Sequence, residues 1–92
     1  MRKIEKQMVD AINRRIDFSS ANTLVVKIDD VNSAIYLHGN HIADVNSRNG
    51  FVLVNTDTLR RWSTNTTKSR LRALGANVST RKGVTYLNNV AI

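Results

Sequence analysis

The residues best suited to chemistry lie in one stretch, Thr66-Thr67-Lys68-Ser69-Arg70-Leu71-Arg72-Ala73-Leu74. Read as a helix, with about 100° between residues, Leu71 and Leu74 share a face. Lys68, Ser69 and Arg72 then point away from that face, and Arg70 flanks it. A helix start with free N–H groups, hydroxyls and a lysine suits a phosphate oxygen. The arginines would extend the contact along a strand, Arg60 and Arg61 lie just upstream, and Arg81-Lys82 would reach a second phosphate from a hairpin tip. The candidate nucleic-acid contacts are therefore Arg60, Arg61, Thr67, Lys68, Ser69, Arg70, Arg72, Arg81 and Lys82. The competing reading is a capped, solvated helix whose cations keep the chain soluble or meet a protein. The segment is too short for a long recognition helix, so contact with the nucleic-acid backbone is expected rather than reading of the major groove.

The distribution of charge favours a polyanionic partner. Every acidic residue lies at or before Asp57. Residues 1–46 hold six Lys/Arg against six Asp/Glu, and residues 47–92 hold eight against one, so the whole net charge of +7 belongs to the second half. Such a field attracts polyanions over about 8–10 Å at physiological salt. The aromatics are few (Phe18, Tyr36, Phe51, Trp62 and Tyr86), which argues against a base-stacking platform. Trp62, the protein-contact candidate, could be an exposed stacking residue or a contact hot spot, but a lone Trp in a small domain is expected to pack its ring on the core and show its N–H to a partner.

Other constellations are thin. His38-Gly39-Asn40-His41 with Asp44 offers two imidazoles and a carboxylate, but zinc sites take three or four supported ligands and no cysteine or further histidine exists. Hairpin-end roles are expected there, and no metal or other cofactor. Asp29-Asp30 reads as a turn. No nucleophile with a base and no Gly-rich phosphate loop is present, so the chain is not expected to be an enzyme. There is no apolar run of membrane-spanning length and no h-region behind Met1-Arg2-Lys3. Without cysteines to staple a secreted domain of this size, a cytosolic location is expected.

Positioning these residues requires a single small domain over 1–92, expected to be α+β. Residues 2–16 read as an amphipathic helix with Ile4, Met8, Ala11, Ile12 and Ile16 in one stripe, stopping near Asp17–Ser20. Thr23–Ile28 alternates, with Leu24, Val26 and Ile28 on one face. Val31–His38 alternates as well, and Gly39-Asn40 signals a two-residue hairpin turn into His41–Val45. Asn46–Gly50 is a polar turn before the short strand Phe51–Asn55. The hydroxyl-rich segment 56–67 favours turns and caps. A second helix over Lys68–Leu74, capped by Thr66 or Thr67 and stopped by Gly75, should dock through Leu71 and Leu74. Ala76–Thr80 and Val84–Asn88 form a closing hairpin with Arg81-Lys82-Gly83 at its tip. Tyr36-Leu37…Ile42 recurs at the same spacing as Tyr86-Leu87…Ile92.

Several blocks together resemble a family of small proteins of tailed bacteriophages. They are Met1 to Ile12 (MRKIEKQMVDAI), Asp17 to Thr23, Tyr36 to Ala43 (YLHGNHIA), Trp62 and Thr66 to Leu71, which cover most of residues 1–74. The closing hairpin matches less closely. The resemblance implies a virus-encoded protein acting in the bacterial host cytoplasm and, by analogy with small accessory phage proteins, action by binding rather than catalysis. The function expected is a non-enzymatic accessory protein that binds nucleic acid, double-stranded DNA first, through its basic second half. The alternative is an inhibitor or host-takeover protein that blocks an acidic host or defence protein. Membrane attachment is not expected, and short open strand edges are compatible with a homodimer.

Overall fold

The computed structural model describes all residues, 1–92. Helix α1, Lys3–Arg14, places Met8, Ala11 and Ile12 in the core with Ile4 and Val9 beside them. It ends earlier than the apolar stripe suggests. Arg15 takes a left-handed conformation (φ 60°), its N–H bonds Ile12 O and the Ile16 N–H bonds Ala11 O, each at 3.1 Å. That double bond satisfies the last carbonyls and turns the chain away, so Ile16 is exposed rather than part of the stripe.

Five strands then form an antiparallel meander, β1 (Phe18–Ser20), β2 (Thr23–Lys27), β3 (Asn32–Leu37), β4 (Asn40–Asn46) and β5 (Val52–Val54), adjacent in chain order. The polar stretch expected only to stop α1 supplies the extra strand β1. The β3–β4 turn is His38-Gly39, not Gly39-Asn40: both residues have positive φ, and Leu37 pairs with Asn40. A turn of this kind needs two left-handed residues in succession, which glycine adopts freely and Asn40 is spared. A bulge shifts the register between Ile35 and Tyr36, which lets Ile42 and Ala43 both reach the core.

Val25, Ile35, Leu37, Ala43 and Val45 face the helices. The alternation in β2 is as read from the sequence, and the buried face is the one that carries Thr23 and Val25, while Leu24 and Ile28 are exposed. Leu24 pairs with Tyr36, Ala34 with Asp44, and Asp44 with Leu53. This second face of the sheet is left uncovered, as antiparallel sheets permit.

The second half holds more structure than its composition suggests. Helix α2, Thr56–Arg61, lies in the hydroxyl-rich segment, where Asn55 accepts the Thr58 N–H and Leu59 is buried. Helix α3, Asn65–Leu74, starts one turn before the expected position because Thr64 caps the Thr67 N–H at 3.1 Å. It ends at Gly75, left-handed at φ 105°, as expected. A small second sheet follows, β6 (Val78–Arg81), β7 (Val84–Leu87) and β8 (Val90–Ala91), in that order. The repeated Tyr-Leu pattern marks the same device twice, with Leu37↔Asn40 and Leu87↔Val90 closing two-residue turns. Leu71 and Val78 join Met8, Ile12, Val25 and Ile35 in one core. The architecture is α+β, with a helical layer on one face of a five-stranded sheet.

Candidate nucleic-acid interface

The centre of the expected site turns inward. Arg70 is 4% exposed, its Nη1 is 2.8 Å from Glu5 Oε2, and its Nε donates to Thr23 Oγ1 at 3.1 Å. Ser69 Oγ donates to the same Glu5 oxygen at 2.6 Å. Glu5 Oε1 accepts the Arg2 N–H at 3.1 Å, so one carboxylate ties α1 to α3 and caps its own helix. Burial by itself would raise the Glu5 pKa. The bonds from Ser69, the Arg2 amide and Arg70, with the arginine charge, outweigh it and hold the carboxyl below its ordinary value.

Lys68 is 6% exposed and its ammonium donates to Thr80 Oγ1. Thr67 is buried, its hydroxyl bonded to that of Thr64. Thr67, Lys68 and Arg70 are therefore removed from the surface on which the sequence placed them, and Ser69, half-buried, spends its hydroxyl on Glu5. The reason is tertiary. A helix docked along Leu71 and Leu74 alone would show them to solvent, whereas α3 lies between α1 and β6 and has little free circumference.

The other five candidates remain outside. Arg72 is exposed; its Nε donates to Val78 O at 2.8 Å, leaving the two η nitrogens free. Arg60 pairs with Asp57 at 3.3 Å in an exposed i,i+3 contact of small energetic value. Arg61 and Lys82 are exposed and form no ion pair. Arg81 bonds Asn89 Oδ1 at 3.1 Å and stacks over Tyr86 at 4.7 Å from the ring centre. Because Arg72 meets Val78 and Lys68 meets Thr80, β6 runs antiparallel to α3. At about 3.3 Å per residue its continuation carries Arg81 and Lys82 toward the first turn of α3, the end where Arg61 and Trp62 also lie.

A shallow groove lined by Met1, Glu5, Ser69, Arg72 and Ala73 joins Arg72 to the start of α1. Arg2, Lys3 and Lys6 are exposed there. By sequence they read as one side of an ordinary solvated helix, since a balanced local charge gives no hint of which cations a distant helix will join. Trp62 also departs from expectation. The residue is 45% exposed at the end of α2 and is not among those packed on the core.

The uncovered face of the large sheet is the electrostatic opposite. None of its strand positions (Ser19, Leu24, Val26, Asn32, Ala34, Tyr36, His41, Asp44, Asn46 and Leu53) is Lys or Arg. Asp29 sits at its margin, where it accepts the N–H groups of Val31 and Asn32 at 2.9 and 2.8 Å. The Asn32 side chain and these amides lower the Asp29 pKa, so Asp29 acts as the turn residue its sequence suggests. His41 Nε2 lies 2.8 Å from Asp44 Oδ1 and its Nδ1 3.2 Å from the Asn55 amide, so both ring nitrogens are occupied. His38 is exposed on another rim, and no three His or carboxylate groups converge as metal ligands. No helix is long and apolar enough to cross a membrane.

Fold and surface together define a small α+β protein with a helical layer on one face of its large sheet and no lysine or arginine at the strand positions of the other. The chain matches the family described as Kyanoviridae Gp96 protein over residues 1–91, and it belongs to that family. The match extends through the closing hairpin, where the blocks read from the sequence were weakest. No curated protein and no solved structure matches it.

Proposed function

We propose that this phage protein is an accessory factor that binds nucleic acid, double-stranded DNA first, through backbone contacts on its helical side. The observation that carries this reading is the segregation of charge. No strand position of the open face carries a cation; of the fourteen Lys and Arg, Lys27 lies at the end of β2 and Arg48 in the β4–β5 turn, and the rest are on the helices, their caps and the small sheet with its turn. The contacts are Arg61, Arg72, Arg81 and Lys82, with Arg60 at their margin and Arg2, Lys3 and Lys6 extending them across α1. Lys68 and Arg70 act as internal supports. Arginine and lysine with free donors suit phosphate oxygens regardless of base sequence.

The test is anisotropy of a labelled duplex titrated with the protein. If about 4–6 phosphates are neutralised, affinity falls by roughly two to three decades between about 50 and 200 mM salt. Absence of binding to DNA and RNA at the low-salt end removes the reading.

A second reading has its own observation. Phe51 and Leu53 are 62% and 58% exposed on the open face, beside Ile28 and Leu24, and a depression of about 320 Å³ runs between Ile28, Phe51 and Leu53. Contiguous exposed apolar groups mark protein contacts, which supports a blocking role against a host protein. Co-purification from host lysate separates the two: a partner lost on nuclease treatment supports nucleic acid, and one that survives supports protein blocking.

A further inference from the structure

A cleft of about 370 Å³ opens where the β3–β4 turn, the end of α2 and the start of α3 meet. Its floor is apolar, formed by Leu37 and Ile42, and the Trp62 indole stands at its side. Six of its nine lining residues are polar, which is unusual for a site meant to take an apolar side chain. The hydroxyls of Thr64 and Thr67 bond each other. The Asn40 amide, the Thr58 and Thr66 hydroxyls and the His38 imidazole have no partner within the chain. These groups donate and accept around an aromatic face, which is what the edge and the plane of a nucleobase require. The volume lies in the range of small-ligand sites. Arg61, which precedes Trp62 directly, is exposed and forms no ion pair.

From these features we infer that the Trp62 cleft holds one unpaired nucleobase, stacked on the indole and bonded at its edge by the Asn40, Thr58 and Thr66 side chains. This inference rests on the nucleic-acid reading above and deepens it. A helical-side surface that follows the backbone would combine with one pocket that accepts a base only when it is free of its complement. Strand ends, gaps and single strands would then bind more tightly than an intact duplex of the same length.

The chain has one tryptophan, so its emission reports on this cleft. The probes are a labelled single-stranded oligonucleotide of mixed sequence, the matching blunt duplex and AMP, each followed by label anisotropy or tryptophan emission. The single strand is expected to quench Trp62 and the duplex to bind with little quenching. Trp62→Ala should weaken the single strand by about tenfold or more and the duplex by less than about twofold, with Trp62→Phe retaining most of the difference. Because the ring is half-exposed, both variants should fold, which circular dichroism checks. A bound single strand that leaves the emission unchanged, or a Trp62→Ala loss equal for both forms, overturns the cleft and leaves the backbone reading intact. If neither form binds, the backbone reading falls and AMP decides the cleft: saturable quenching sustains it, and none overturns it. Quenching by a host protein but by none of the nucleotide probes assigns Trp62 to a protein contact instead.

Discussion

Arg70 shows how the role of a single cation is decided by what surrounds it. Its guanidinium is buried against Glu5 and Thr23, so its charge serves the contact of α1 with α3 rather than a ligand. Removing one member of a buried pair leaves the other uncompensated, at a cost of about 3 kcal/mol or more. Arg70→Met should therefore lower the melting temperature by more than about 10 °C in a chain of this size, measurable by circular dichroism. Glu5 sets the acid limb. Its folded pKa lies below the ordinary 4.5, so its contribution is fully present above that value and is lost as pH falls through the folded value. Asp29, also lowered, acts with the same sign. Stability should hold from neutral pH down to about 5 and decline below it. Glu5→Gln should start lower and show a shallower acid decline; an unchanged acid slope would remove Glu5 from this role.

Among the elements, the hairpins carry a common device. Ala21-Asn22, His38-Gly39, Lys82-Gly83 and Asn88-Asn89 all have two positive φ values in succession and close two-residue turns. Ala21, at φ 46°, is with Lys82 poorly suited to this conformation, having neither a glycine's freedom nor a short polar side chain that bonds its own backbone. Ala21→Gly should stabilise the chain by about 0.5–1 kcal/mol, raising the melting temperature by a few degrees. A decrease would show that strain at this turn is absent. Much at this scale was legible. The first helix, four of the five large-sheet strands, the Gly75 stop and the closing hairpin follow from periodicity and turn chemistry. What escaped notice was short: β1, β8 and α2 span two to six residues, too few for a period to show. In α2 the one signal is Leu59 behind the Asn55 cap, diluted among hydroxyls.

For the whole molecule, the decisive property is polarity of charge between two sides. Charge reversal at Arg61 and Lys82 together should weaken duplex binding by about tenfold or more at low salt, as two phosphate contacts are lost, with the melting temperature unchanged. Leu53→Lys, on the open face, should leave DNA affinity within about twofold and, if that face meets a host protein, abolish that contact. Equal loss from both variants in the DNA assay would show that the surface is not divided as described. The cleft beside Trp62 belongs to this scale too, since its walls come from residues 37–42, 58–62 and 64–67.

By itself the sequence determined the class of the molecule, the longer elements and the excess of positive charge, because these depend on residue type and on spacing within a few positions. Only the tertiary structure decided which cations stay outside, which face of the sheet lies bare and where the indole stands. The Arg70–Glu5 pair joins residues 65 positions apart. Packing α3 between α1 and β6 buried three of nine candidate contacts and tied up a fourth, Ser69, in a bond to Glu5. Local pattern gives one helix a docking face, but the number of neighbours that helix acquires is a property of the packed chain.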